Sequence, residues 1–423
     1  MALDGADSQS WQACAAAVVP DTESAKASMA DMSVPTFIML NLILNFQYVI
    51  NCSMIDVRAN PLAAKRKPVV SAPIARINAI GTATPDHDIH QAFIEWASRR
   101  VADPREAGLF SRMAARSGIA HRYSVLPIGS DGGSPVAPGG FYADDILPPT
   151  SARMALYGDH APNLALDAIR KLESLGEISH LVVASCTGFT APGIDQIIAE
   201  RLGLSPSVER LLVGFMGCYA AISALRTARH IVRSDPDARV LVVTVELSSL
   251  HLQPESAIEP LLAMLQFGDG AAAALVTSEG PGLAIDAPFA TTLPNSETLI
   301  RWSIGDQGFA MHLSGEVPGR ISEALRDPGF RQVLTGGVRP QEIDAWAVHG
   351  GGRSILDAVA HALGLNDELL AISRGVLHDY GNMSSSTLMF ALAGFMNLNP
   401  TRGVALAFGP GLAAEGFGFH GVS

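Results

Sequence analysis

Short, almost wholly apolar runs recur along this chain with helical stretches between them, and nothing else in the sequence constrains its fold as strongly. HLVVAS (180–185), RVLVVTVE (239–246), AAAALV (271–276), DAWAV (344–348) and GVALAF (403–408) are the clearest. A strand that is apolar at every position, rather than at alternate ones, is covered on both faces, and the helices between the runs supply the cover. The pattern therefore predicts a layered, largely parallel α/β fold with its sites at the strand ends. There is also an internal echo. HLVVASCTG returns in kind as DAWAVHGGG, and RVLVVTVE with FGDGAAAALV returns as GVALAFGPGLAAEGFGF, which predicts two similar halves facing each other.

The boundaries follow from composition. Residues 1–71 open acidic and rich in Ala and Ser, pass through the apolar run Val34–Ile50 and end near Lys65-Arg66-Lys67. This segment reads as an appended extension, either unfolded or an artefact of a start codon placed upstream of an internal one such as Met54. Asn41, Asn45 and Gln47 interrupt the apolar run, so it is no spanning helix, although it suits peripheral membrane contact. The core divides into a half over 72–280 and a half over 281–423. Within it a helix is expected over Arg105–Ile119 and another over Pro162–Leu175, with a long Gly- and Pro-rich surface loop over 125–150.

With 48% apolar and 17% charged residues, 40 Gly and 26 Pro, the chain suits a compact, loop-rich enzyme. A formal net charge of −12 argues against nucleic acid or an anionic membrane held by bulk charge. The four cysteines, Cys14, Cys52, Cys186 and Cys218, show no CxxC pair, so neither a disulfide framework nor a metal site is indicated, and a reducing cytoplasm fits best.

The chemistry centres on LLVGFMGCYAAISALRTARH (211–230), where a strand-like run passes through Gly217-Cys218 into a helix with Ile222, Leu225 and Ala228 on one face. A thiol at a helix N-terminus meets unpaired N–H groups that favour its thiolate, so Cys218 is a candidate nucleophile, set against the bland reading of a buried cysteine acting as a small hydrophobe. His349 ends a strand and precedes three glycines, a place for a catalytic imidazole or for a hydrogen-bonded structural one. Asn382 opens an apolar helix, where a helix cap is the alternative. Arg112 and Arg116, four apart on one helix, read either as a solvated face or as an anion contact, with Arg122 beyond.

These residues carry a resemblance. From about Ala72 to His420 the chain resembles the type III polyketide synthases, the chalcone and stilbene synthase family of the thiolase-like, layered αβαβα fold built from two similar halves. The motifs are Gly217-Cys218, His349 before its glycines, Gly381-Asn382-Met383-Ser384-Ser385, Phe267-Gly268-Asp269-Gly270 and Phe408-Gly409-Pro410-Gly411-Leu412. The resemblance implies a catalytic triad of Cys218, His349 and Asn382. It implies an acyl-CoA starter loaded on Cys218, decarboxylative extension by malonyl-CoA, and cyclisation to an alkylpyrone, alkylresorcinol or related polyketide. It further implies no cofactor, no carrier protein and a homodimer.

Arg112 and Arg116 fall at family positions for the CoA phosphates, and Leu109 replaces a third cation. Phe267 matches one aromatic gatekeeper, while Met311 replaces the other. Cys186, Thr187, Ser248, His251, Gly351 and Ser384 fall among lining positions, and Trp302 falls opposite a glycine. Initiating β-ketoacyl-ACP synthases, which share the fold and chemistry but dock an acidic carrier protein, are the alternative; a non-catalytic acyl-binding paralogue is the third reading.

Overall fold

The computed structural model describes residues 73–127, 133–143 and 146–423; the expected extension over 1–71 lies outside them. The principal sheet contains β1 (Arg76–Ala83), β2 (His180–Ser185), β3 (Glu209–Gly214), β4 (Val240–Leu247), β5 (Asp269–Thr277) and β6 (Gly282–Thr292). After a separate hairpin of β7 (Ile300–Gly305) and β8 (Gly308–Leu313), it is completed by β9 (Ala345–Val348), β10 (Gly403–Gly409) and β11 (Ala413–Val422). Its nine strands run in the order β9-β10-β11-β6-β1-β5-β4-β2-β3.

The sheet is less parallel than the sequence predicts. β9 pairs parallel with β10, and β2 with both β4 and β3, but the five pairings that join these wings are antiparallel. Part of the reason lies in the connections: β10 and β11 are joined by a short turn with no crossover helix, and such a link forces antiparallel neighbours, while β1 inserts between β5 and β6 and runs antiparallel to both. The misreading arose because β5 is buried along nearly its whole length, and an antiparallel strand covered on both faces has the same composition as a parallel one. The internal echo does appear in the topology. β2 parallel to β4, then β4 antiparallel to β5, is repeated as β9 parallel to β10, then β10 antiparallel to β11.

Helices of both halves surround the sheet, and one from each half packs on both wings. α1 (Pro104–Ala115) and α2 (Thr150–Ile169) lie in the first half with α3 (Ala220–Ser234); α4 (Arg353–Leu363) and α5 (Ser385–Ala393) belong to the second. α5 is buried from Ser385 through Leu392 and packs on β1, β4 and β5 of one wing and β9 and β10 of the other. α3 packs on β2 and β4 and reaches β11. The alanines at 271–274 make this layering close, since α2 and α5 both pack on β5. A larger side chain there would overpack at a cost of about 1–3 kcal/mol.

Two local expectations need correction. α2 starts at Thr150, well before the predicted Pro162, which sits buried inside the helix; Pro commonly opens a helix, and that habit misplaced the start. The stretch over 125–150 is no plain surface loop, since Leu126, Tyr142 and Leu147 are buried and the Tyr142 hydroxyl donates to the Ser249 carbonyl at 2.9 Å. Its apolar residues have no periodicity that could announce burial. No helix among the described residues is long and apolar enough to cross a membrane.

Candidate active site

Cys218 lies in a single 3₁₀ turn, Gly217–Tyr219, between the end of β3 and the first turn of α3. Gly217 has φ +77°, and a Cβ there would sit 2.3 Å from Pro410 Cδ, so only glycine fits beneath the loop that follows β10. The other motifs interlock in the same way. A Cβ on Gly409 would press on Tyr219, and one on Gly270 would meet the Met383 sulfur at 2.3 Å. Asn382 and Phe267 form an isolated parallel bridge: the Asn382 N–H donates to the Gln266 carbonyl at 2.8 Å, and the Gly268 N–H donates to the Asn382 carbonyl at 3.0 Å. Motifs far apart in sequence thus form one packed unit contributed by both halves.

The site is dry, and that corrects the expectation of a ready thiolate. Burial pushes the Cys218 thiol up to about 12, and the Ser384 and Asn382 side chains that hydrogen-bond to it offset only part of the shift. Burial likewise lowers the His349 imidazole to about 4. On balance neither charge is stabilised by its surroundings at these two buried positions.

His349 follows β9 directly, its N–H donating to the Leu406 carbonyl at 2.8 Å. Both of its ring nitrogens are buried and lack a hydrogen-bond partner among the described residues. The alternative reading as a hydrogen-bonded structural histidine therefore finds no partner there. A Cβ on Gly351 would lie 3.5 Å from His349 Nε2, so glycine leaves that edge of the ring uncovered. The Asn382 amide donates to the Gly351 carbonyl at 3.3 Å, and its Oδ1 accepts from the Ser384 N–H at 2.8 Å. Ser384 itself has φ +48°, a strained conformation beside the thiol.

Cys186, Thr187, Cys218, Phe267, Met311 and Ser384 share a cavity of about 20 Å³. Cys186 accepts the Gly217 N–H on its sulfur at 2.9 Å, and burial raises its thiol well above the usual range. His251 stands behind this cavity. Its Nδ1 accepts the Phe309 N–H at 3.0 Å and its Nε2 donates to the Thr187 carbonyl at 2.7 Å, which fixes a neutral ring. Trp302 turns inward, its indole N–H donating to the Cys186 carbonyl at 2.9 Å, and it is the cross-strand partner of Met311. The indole thus adds bulk beside Met311 from the neighbouring strand. Beyond the wall of Ser248, Phe267, Trp302 and Met311 lies a second, mainly apolar pocket of about 250 Å³.

Arg112 and Arg116 are both exposed at the end of α1. Arg116 lines a separate pocket of about 390 Å³ with Arg353 and Gln266, whereas Arg112 is not among its lining residues. Leu109 is exposed on the same helix. Arg353, whose guanidinium donates to the Arg116 carbonyl at 3.3 Å, is a second cation that sequence reasoning passed over. It also passed over Glu246, which is fully buried at the end of β4. Glu246 accepts the Cys186 N–H at 2.9 Å and the Thr187 hydroxyl at 3.0 Å and is bonded by the Ser385 hydroxyl, while burial raises it to about 7. The signal was a lone carboxylate ending an otherwise apolar run.

The family models for the N- and C-terminal domains of chalcone and stilbene synthases match residues 63–280 and 284–423. The chain belongs to the chalcone and stilbene synthase family. The first match begins inside the stretch read as an extension. An "Alpha-pyrone synthesis polyketide synthase-like Pks18" of Mycobacterium tuberculosis is 34% identical over 379 residues, covering 84% of this chain and 93% of the relative. Among solved structures, PKS-I from the brown alga Ectocarpus siliculosus superposes with a TM-score of 0.75 at 29% identity, covering 83% of this chain and 99% of that one. The bacterial type III 1,3,6,8-tetrahydroxynaphthalene synthase from Streptomyces coelicolor superposes with a TM-score of 0.73 at 26% identity, covering 82% and 99%. The fold is thiolase-like and the enzyme is a type III polyketide synthase, which decides between the readings the sequence left open.

Proposed function

We propose that this synthase takes a starter acyl group from an acyl-CoA onto Cys218 and extends it with malonyl-CoA without a carrier protein. His349 receives the thiol proton as Cys218 attacks the thioester carbonyl, and CoA leaves. Malonyl-CoA then loses carbon dioxide, and its enolate oxygen is held by donors from His349 and the Asn382 amide. The enolate carbon attacks the acyl-cysteine carbonyl and lengthens the chain by two carbons. The observation that carries this reading is that Asn382 touches the buried Cys218 thiol and also bonds the Gly351 carbonyl, two residues from an imidazole whose two nitrogens are buried and, among the described residues, unengaged. Arg116 and Arg353, which line one pocket, suit the CoA phosphates. Buried free thiols at 186 and 218 suit a reducing cytoplasm.

The starter in this reading is an aliphatic acyl chain and the product an alkylpyrone or alkylresorcinol, in keeping with the α-pyrone relative. The space at Cys218 is small, but an apolar pocket lies just behind Trp302 and the unbranched, yielding Met311. Each methylene that reaches it gains about 0.8 kcal/mol. Medium-chain acyl-CoAs are expected to exceed p-coumaroyl-CoA in kcat/KM, and Trp302→Gly to move the optimum to longer chains. Products profiled by mass spectrometry from acetyl to stearoyl, with p-coumaroyl included, check this; preference for p-coumaroyl, or turnover of malonyl-CoA alone, defeats it.

A homodimer paired along β3 completes the proposal. β3 is the last strand of the sheet and exposes Leu211 and Leu212, an apolar edge that soluble proteins usually cover. Leu212→Arg is expected to convert a dimer to a monomer in light scattering; an unchanged mass would place the interface elsewhere.

A further inference from the structure

Arg122 is 1% exposed, yet among the described residues it forms no ion pair with any carboxylate. Its guanidinium bonds elsewhere. Nε donates to His90 Nδ1 at 2.9 Å, and NH1 donates to the carbonyls of Met264 at 3.2 Å and Phe267 at 2.6 Å. Its stem fills the space beneath two glycines. A Cβ on Gly381 would meet Arg122 Cγ at 2.7 Å, and one on Gly268 would meet Arg122 Cβ at 3.4 Å. Gly381 precedes Asn382, and Gly268 follows Phe267. Arg122 therefore lies at the bridge that ties the Phe267 backbone to the Asn382 backbone, with a charge-assisted bond to one strand and van der Waals contact with both.

We infer that Arg122 is a positioning residue that sets the gate at Phe267 and the amide at Asn382 in one fixed relation. An isolated bridge has no neighbouring ladder bonds to hold its register, and its two strands come from different halves of the fold. A long cation whose planar guanidinium is held by His90 at Nε and by the Met264 and Phe267 carbonyls at its far end supplies that missing support. His90 is itself held by Asp88, which accepts the His90 N–H at 3.0 Å and the Arg122 N–H at 3.2 Å. Burial lowers the guanidinium to about 9, with Asp88 and Asp269 opposing, so Arg122 remains charged at neutral pH. Burying a charge without an acid partner is costly, and the bonds it makes here run to His90 and to the backbone carbonyls of Met264 and Phe267, at the base of the bridge.

The inference rests on Asn382 acting in decarboxylation, and its test separates the two ideas. Arg122→Met, Arg122→Lys, His90→Leu and Asn382→Ala are assayed together for malonyl-CoA decarboxylation and for alkylation of Cys218 by iodoacetamide. Arg122→Met is expected to lower kcat for decarboxylation at least tenfold with KM within twofold, while Cys218 alkylates at the wild-type rate. Arg122→Lys recovers part of the loss, and His90→Leu shows a smaller loss of the same kind. If Arg122→Met does not fold, Arg122→Lys and His90→Leu carry the same comparison. A wild-type kcat in the Arg122 variants beside a slow Asn382→Ala overturns the strut alone. Unchanged decarboxylation in Asn382→Ala overturns both the strut and the role it serves, and a parallel fall in kcat, KM and alkylation marks Arg122 as merely structural.

Discussion

With Cys218 changed to Ala, incubation with an acyl-CoA is expected to leave the intact mass of the chain unchanged, and polyketide formation to fall by roughly 10⁴-fold or more, the scale of losing a nucleophile. Cys186→Ala still gains the acyl group and alters only the product distribution. The two thiols share one cavity, but their surroundings differ. The Cys186 sulfur is engaged by the Gly217 N–H, whereas Cys218 is met by Ser384 and Asn382. A companion measurement tests the proton's destination. Because burial holds the isolated thiol at about 12, removing the imidazole strands the proton on sulfur. In His349→Ala, alkylation of Cys218 is expected to be slow at pH 7 and to rise with pH through 9 and beyond, since the thiolate fraction grows while pH stays below the thiol's pKa. An acyl adduct on Cys218→Ala, or wild-type alkylation of His349→Ala at pH 7, sinks the assignment.

His349→Ala and Asn382→Ala are each expected to slow malonyl-CoA decarboxylation by at least about a hundredfold, the usual result of removing one donor from an oxyanion site. The effect is large because the enolate's charge develops where water does not enter. His349, Asn382 and Ser384 are all buried, so no solvent molecule replaces a lost donor. Release of carbon dioxide, measured directly from malonyl-CoA with no starter, isolates this step from loading. A wild-type rate in either variant would falsify the enolate role.

Much of this was legible in the chain. The apolar runs marked most of the sheet strands, and the motif residues Cys218, Phe267, Asn382 and Ser384 do meet in one packed unit. What could not be read was whatever depends on where a side chain ends. Trp302 faces inward because its indole N–H finds the Cys186 carbonyl, an acceptor in the other half of the fold. Cys218 sits at a helix start, as its sequence context predicts, but the low dielectric around it outweighs the nearby peptide dipoles and raises its thiol. Glu246 and Arg122 went unweighed because neither belongs to a recognisable motif, and only the fold shows what their hydrogen bonds join.

Trp302 and Met311 stand on the hairpin of β7 and β8, which belongs to no part of the nine-stranded sheet. Ile304 on the same hairpin points to solvent. The groups proposed to break and make bonds are set in the interlocked core, where a single methyl group collides with a neighbouring motif, while Trp302 and Met311, two of the four wall residues, stand on a two-stranded flap. Substitutions can therefore accumulate on that flap, trading one acyl chain for another, without loosening the scaffold. A lineage of such enzymes can diversify its products while inheriting its chemistry intact.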